Sequence, residues 1–391
     1  MKTKRTHSVI EILENRVAPA GLITATFAGG VLSLTGDSAA NTFTLTQLVP
    51  EFLSFSGSGG TLISLNGAAG TATLDVEGQI KSITMQLGDG ADFATISILA
   101  ARSLSIDGGG DGDTIALSNL TLSGDVNIKG GTGDDTIGFG GTVVAIGGAL
   151  SVDMGEGTNN FVASTSGIEV GGATKIVGGA AADTVAFISS GATTFGGGIT
   201  AQLGGENNTF TVNTGTLSVK GNISVEHQDH PGNVQTEISA AGPATISGGV
   251  TVKTGNGTST TSLSSSVALS VAGLVKVTGG NSLDSFNIGG GNVLLKGGVS
   301  VDLSEGSNSV STSFPTGLIP SFNYKGGTGD DSVSLAGGNI SLGTVNLDLG
   351  DGSNNGVISG SSVEISGAVK VKSGSGDDSF TISGSNVKAA G

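Results

Sequence analysis

The chain has 391 residues, 71 of them glycine, with no cysteine, no tryptophan, one tyrosine and a formal net charge of −16. Arginine occurs only as Arg5, Arg16 and Arg102, so the clustered basic charge that a nucleic-acid partner requires is missing. No apolar run approaches about 18 residues, which excludes a hydrophobic membrane-spanning helix.

Residues 1–20 carry Lys2, Lys4 and Arg5 ahead of Val9-Ile10-Glu11-Ile12-Leu13-Glu14. Two carboxylates interrupt what would be the apolar core of a secretory signal, so an ordinary signal peptide fits poorly. Ala18-Pro19-Ala20 supplies small residues of the kind found at cleavage sites. The run Leu13-Glu14-Asn15-Arg16-Val17-Ala18-Pro19-Ala20 resembles the L-E-x-R-x-x-P-A signature at the N-terminus of planctomycete-type extracellular proteins. That resemblance implies an extracellular or cell-surface location. Residues 1–20 are therefore expected to be an export signature on a flexible tail.

From Leu22 the pattern turns to β. Leu22–Phe27 and Val31–Leu34 flank Gly29-Gly30, and Asp37–Asn41 with Thr42–Leu45 reads as a first, irregular copy of a repeat that fills the rest of the chain. Residues 21–86 are expected to form an irregular β cap with the first coils, because an array of repeats needs an atypical end unit over its first open edge.

Residues 87–391 are organised around Gly130-Gly131-Thr132-Gly133-Asp134-Asp135-Thr136-Ile137, which returns as Gly326–Val333 and again near Gly374–Phe380. We term the last acidic or amide residue of each copy the anchor. The anchors are Asp92, Asp113, Asp135, Asn159, Asp183, Asn208, a degenerate copy near Gly232, then Ser259, Asp284, Asn308, Asp331, Asn354 and Asp378, in steps of about 24 residues. Between anchors, short β-branched runs alternate with glycine pairs, as in Thr136–Phe139, Val143–Ile146 and Leu150–Met154. The pattern predicts an all-β chain: a right-handed parallel β-solenoid of about 13 triangular coils.

Stacking makes further columns. Two residues after the anchor come Ile115, Ile137, Phe161, Val185 and Phe210; nine and seven before it come pairs such as Leu104/Ile106 and Val126/Ile128. These predict core ladders, because residues two apart share one face of a strand. The column six before the anchor should face outward. It reads Asp107, Lys129, Asp153 at the start and Asp302, Lys325, Asp348, Lys372 at the end. Alternating signs in a stack penalise a slip by one coil, so the column reads as a register device.

Gly130–Gly138 and Gly326–Ser334 match G-G-x-G-x-D-x-(aliphatic)-x and so resemble the nonapeptide of RTX calcium-binding β-rolls, although here it occurs once per coil. The resemblance implies calcium at Asp89, Asp92, Asp111, Asp113, Asp134, Asp135, Asp330, Asp331, Asp377 and Asp378. Carboxylates and glycine-opened carbonyls are the oxygen ligands that ion prefers. The competing reading needs no metal. Asp and Asn anchors alternate over much of the array, which separates like charges and lets each Asn amide donate to a neighbouring carboxylate.

Glu226-His227-Gln228-Asp229-His230-Pro231 is the one interruption, and reads either as a metal or catalytic site or as a surface loop. Lyases and hydrolases of polysaccharides also use parallel β-helices, but arginine vanishes after Arg102 and no paired carboxylates flank an aromatic platform. The leading expectation is a secreted or cell-surface, adhesin-like structural repeat protein without catalytic activity, with surface polysaccharide or other surface proteins as partners. A calcium-binding extracellular protein comes second and a β-helix carbohydrate-active enzyme third. The final coil reads as cut short at Gly391, which suggests a fragment or end-to-end self-association.

Overall fold

A computed structural model of the chain describes residues 21–49, 51–70, 72–76, 80–97 and 100–389. The export signature lies outside the described residues. Among the described residues every regular element is a β-strand, and the strands stack as a parallel β-solenoid. One coil runs through Thr136–Gly140, Val143–Ile146 and Leu150–Asp153, giving three sides joined at glycine corners. About 13 such coils at about 4.8 Å per step make a rod on the order of 60 Å long.

The columns expected from sequence coincide with the hydrogen-bonded register. Ile115 pairs with Ile137, Ile137 with Phe161, Phe161 with Val185 and Val185 with Phe210. On another side Leu104, Val126 and Leu150 stack, as do Ile106, Ile128 and Val152. All are at most 2% exposed and belong to one continuous core. Within it Phe139, Phe161, Phe187 and Phe195 meet edge to face, with centroids 5.5, 5.3 and 5.2 Å apart. Such contacts add about 0.5–1.5 kcal/mol each beyond the area they bury.

The outward column also stacks in register, from Asp107 on Lys129 and Lys129 on Asp153 to Asp302 on Lys325, Lys325 on Asp348 and Asp348 on Lys372. Among the described residues three ion pairs form, all in this column: Lys253–Glu226 at 3.1 Å, Lys325–Asp302 at 3.1 Å and Lys372–Asp348 at 2.9 Å. They are exposed, so each contributes little to stability and acts mainly against wrong pairings.

Two features depart from the simple coil. In later coils the three short strands merge, so that Ser309–Gly326 and Ser332–Asp348 each run through the corners as one element. Adjacent coils of nearly equal length keep their backbones paired even where they bend. Antiparallel pairing is confined to the N-terminal part. There Gly21–Ala28 pairs with Val31–Thr35, and Thr42–Val49 with Phe52–Ser58. These hairpins lie on the first complete coil, because Val31–Thr35 also pairs in parallel with Ile80–Gly88 and Thr42–Val49 with Phe93–Ser97. At the other end the core positions of the last coil stand open, with Val371 39%, Ile382 36% and Val387 44% exposed.

Candidate functional site: the stacked acidic corner

The corner forms because the chain must reverse tightly just before each anchor. Two residues before it, Gly133, Gly157 and Gly329 have φ of 115°, 99° and 121°, a region that glycine enters without steric cost. Asp111 and Glu206 hold the same place with φ of 67° and 62°. The turn aims the anchor side chain inward, and anchors from Asn41 to Asn354 are buried, whereas Asp378 on the last coil is exposed.

Except between Asn208 and Asp284, the anchors form a ladder in which each side-chain oxygen accepts the backbone N–H of the anchor one coil earlier. Asp92, Asp113 and Asp135 donate in this way to Asp113, Asp135 and Asn159, each at 2.8 Å. Farther along, Asp183 donates to Asn208 at 2.8 Å, Asn308 to Asp331 at 2.9 Å and Asp331 to Asn354 at 2.8 Å. Asn41 joins as the first member, its N–H meeting Asp92 at 2.6 Å. The expected donation from Asn amides to neighbouring carboxylates is seen at Asn354, whose Nδ2 lies 2.9 Å from Asp378. Asn41 Nδ2 also donates to a carboxylate, Asp37 Oδ1 at 3.2 Å, while at Asn159 and Asn208 the amide turns to carbonyls of its own corner. Asn159 Nδ2 donates to Gly155 and Gly157 at 3.3 and 3.0 Å, and Asn208 Nδ2 to Gly204 and Gly205 at 2.7 and 3.0 Å.

Asp cannot copy that geometry, because its second oxygen has no proton to offer a carbonyl when ionised. It turns instead toward the residue five before it. That residue is glycine at Gly108, Gly130, Gly178, Gly279 and Gly326, ahead of Asp113, Asp135, Asp183, Asp284 and Asp331. A Cβ there would lie 2.5, 2.4, 2.0, 2.1 and 1.8 Å from the respective Asp Oδ2. Ahead of the Asn anchors the same place holds Met154, Leu203, Leu303 and Leu349, all buried. From Asp113 to Asn354 the corner thus has two fillings, Gly with Asp or Leu/Met with Asn, whereas the first two anchors depart from it, with Leu87 ahead of Asp92 and Gly36 ahead of Asn41. The signal for it in the sequence is a covariation between two columns, which a reading centred on the anchors alone misses.

Oδ2 of Asp92, Asp113, Asp135, Asp183 and Asp331 is buried without a well-formed hydrogen bond. Burial pushes the carboxyls of Asp92 and Asp183 up to about 6 and that of Asp113 up to about 7, the stacked carboxyls of Asp92 and Asp135 adding to the effect at Asp113. Asp135, Asp284 and Asp331 shift the same way, chiefly through loss of solvent.

The second acid of each pair faces the other way. Asp89, Asp111, Asp134, Asp330 and Asp377 are exposed. Two of them bond in the opposite sense to the inner ladder, Asp134 Oδ1 accepting the Thr158 N–H at 2.7 Å and Asp330 Oδ1 the Ser353 N–H at 2.8 Å, whereas Asp111 Oδ2 accepts the Gly90 N–H of the preceding coil at 3.1 Å. Adjacent carboxyls such as Asp134 and Asp135 therefore lie on opposite sides of the chain. Among the described residues no group of three or more His, Cys, Asp or Glu side chains converges on a point.

The interruption is also resolved into two separate environments. His227 is fully buried, with Nε2 2.9 Å from Thr236 Oγ1, and burial lowers its pKa to about 4. His230 lies on the following loop and accepts the Gly232 N–H at 3.1 Å. The degenerate anchor expected near Gly232 is Val234, which stacks on Ser259, with Gly232 two residues before it. The two added residues sit in the loop, and the ladder breaks there because valine offers no oxygen. Grooves on the flat sides carry little ionisable chemistry. One of about 430 Å³ is lined by Val293, Leu294, Leu318 and Ile340 with Glu364 as its single charged group, and one of about 360 Å³ over Leu117 and Phe139 has none.

Compared with protein-family models, with curated proteins and with solved structures, the chain finds no match.

Proposed function

We propose that the chain serves as a secreted or cell-surface scaffold, an adhesin-like stalk that holds a fixed extension and presents its sides to surface polysaccharide or to other surface proteins. The observation that carries this reading is the continuity of the columns. The same chemistry recurs coil after coil in the core, in the corner ladder and in the charged outer column, with Asp302, Lys325, Asp348 and Lys372 in register. Repetition on this scale distributes function along a rod, whereas catalysis concentrates it at one place. Antibody labelling of intact and lysed cells tests the location, and small-angle scattering tests the extension. Signal confined to lysed cells, or a maximum dimension well short of about 60 Å, would overturn the reading.

A calcium-dependent extracellular fold is the second reading. It is favoured by the exposed carboxylates Asp89, Asp111 and Asp134 on three successive stacked turns, where glycine-opened carbonyls are close at hand. Calorimetric titration at millimolar calcium decides it: absence of both heat and a shift in melting removes the metal.

A further inference from the structure

Asp183 and Asp284 are 0% exposed and lie outside the acids that the nonapeptide resemblance implicates. Asp183 Oδ1 accepts the Asn159 N–H at 3.2 Å, its Oδ2 is buried without a well-formed hydrogen bond, and the nearby Asn159 amide and Gly179 N–H offset only part of the cost of burial. Its neighbours in the ladder are the neutral Asn159 and Asn208, and its own turn, residues 178–182, holds no charge. The turns packed on either side contribute Glu156 and Glu206, both acidic and exposed. Asp284 accepts the Ser259 hydroxyl at 2.5 Å and the Gly280 N–H at 3.0 Å. Its own turn and the preceding one hold no charge, the following turn holds the exposed Glu305, and the hydroxyl of Tyr324 approaches from a later coil. Among the described residues no cation faces either carboxyl. An isolated buried carboxylate without a counter-charge is strongly disfavoured against its protonated form.

We propose that Asp183 and Asp284 are held as neutral carboxylic acids, so that the corner column takes up protons on folding and the solenoid tightens as its surroundings acidify. In the Gly/Asp corner the proton replaces what the amide supplies in the Leu/Asn corner, a filled polar site without net charge. Burial moves Asp183 from 3.8 up to about 6, and Asp284 in the same direction. The folded state therefore binds the extra proton between those values. The stability it confers is complete below about pH 3.8 and is lost as the pH rises through about 6.

The test compares the full-length wild type with Asp183→Asn between pH 4 and 7, in chelator. Asn supplies the same ladder oxygen without a titrating group, and every other ionisable residue, His227 included, cancels in the comparison. The variant should gain on the wild type by up to about tenfold in the folding equilibrium for each pH unit between pH 4 and 6 and level off above that, roughly a hundredfold in all. A difference that does not change with pH overturns the proposal. So does stabilisation of wild type, but not variant, by millimolar calcium at pH 7, which would make the carboxylate a cation ligand. Should Asp183→Asn fail to fold, Asp284→Asn gives the same comparison. Greater proton uptake by the wild type than by Asp183→Asn on refolding at pH 5 is an independent readout, and equal uptake by the two would refute the assignment.

Discussion

Gly178→Ala tests whether the second carboxyl oxygen is what reserves the empty place in the corner. The new Cβ would lie 2.0 Å from Asp183 Oδ2, and the other atoms nearest to it, at 2.8 and 3.3 Å, also belong to Asp183. The clash is therefore with one side chain and not with backbone. Overpacking of this kind costs about 1–3 kcal/mol. If the carboxyl swings away instead, the buried Asn159 N–H loses its acceptor, at about 1–3 kcal/mol. Removing glycine stiffens the unfolded chain and returns about 0.4–1 kcal/mol. The net loss is then about 1–2 kcal/mol. With Asp183→Ala as background there is nothing to collide with, and Gly178→Ala becomes neutral or slightly stabilising. The double-mutant cycle should show a coupling of about 2 kcal/mol. Urea unfolding followed by circular dichroism gives the four stabilities, with constant slope as the check on two-state behaviour. Equal cost of Gly178→Ala in both backgrounds would refute the idea that Oδ2 and Gly178 share one space.

Three further outcomes rest on the same geometry. Lys325→Asp places a carboxylate between Asp302 and Asp348, and should cost about 0.2–1 kcal/mol per like-charged contact at low salt, with the penalty fading in molar salt. Phe161→Ala removes the ring between Phe139 and Phe187 and should cost about 3–5 kcal/mol by urea unfolding, far more than a surface phenylalanine such as Phe93. His227 is buried and neutral, with its pKa lowered from 6.5 to about 4. Its contribution is present above pH 6.5 and lost as the pH falls through about 4, so His227→Leu should flatten the acid limb of the stability profile relative to wild type.

The fold was legible because its signal repeats. One coil read as Thr136–Phe139, Val143–Ile146 and Leu150–Met154 is ambiguous alone. Ile137, Phe161, Val185 and Phe210 at a constant offset from the anchor are not, because a stack is the only arrangement that gives each of them the same neighbours. The corner was less legible. Side-chain identity shows that Asp and Asn share a column, but not which atom bonds to which. The bond that matters runs from backbone to side chain, as from Asp135 N–H to Asn159, and backbone donors leave no trace in composition. The degenerate anchor at Val234 was harder to place for a different reason. A loop that gains two residues moves every later offset, and valine carries none of the oxygen chemistry by which the other anchors were recognised.

In five coils the two patterns in the corner and on the outer column are in phase, whereas Asp107-Gly108 ahead of Asp113 departs from them. Lys129-Gly130 precedes Asp135, and Lys325-Gly326 precedes Asp331; Asp153-Met154 precedes Asn159, Asp302-Leu303 precedes Asn308, and Asp348-Leu349 precedes Asn354. The physical repeat over these coils is therefore a pair of coils. Deleting one coil, residues 332–354, would set Lys372 over Lys325 and Asp378 over Asp331. Deleting two, residues 309–354, would set Lys372 over Asp302 and Asp378 over Asn308, which restores opposite charge outside and an Asp–Asn contact inside. The longer deletion removes more core and yet should disturb the remaining C-terminal coil less, because like charges no longer oppose and carboxyls no longer stack. Amide exchange in the last coil, Ser379–Ala389, measures this directly. Weaker protection there after the two-coil deletion than after the one-coil deletion would mean that each coil is its own unit and that the phase relation is incidental.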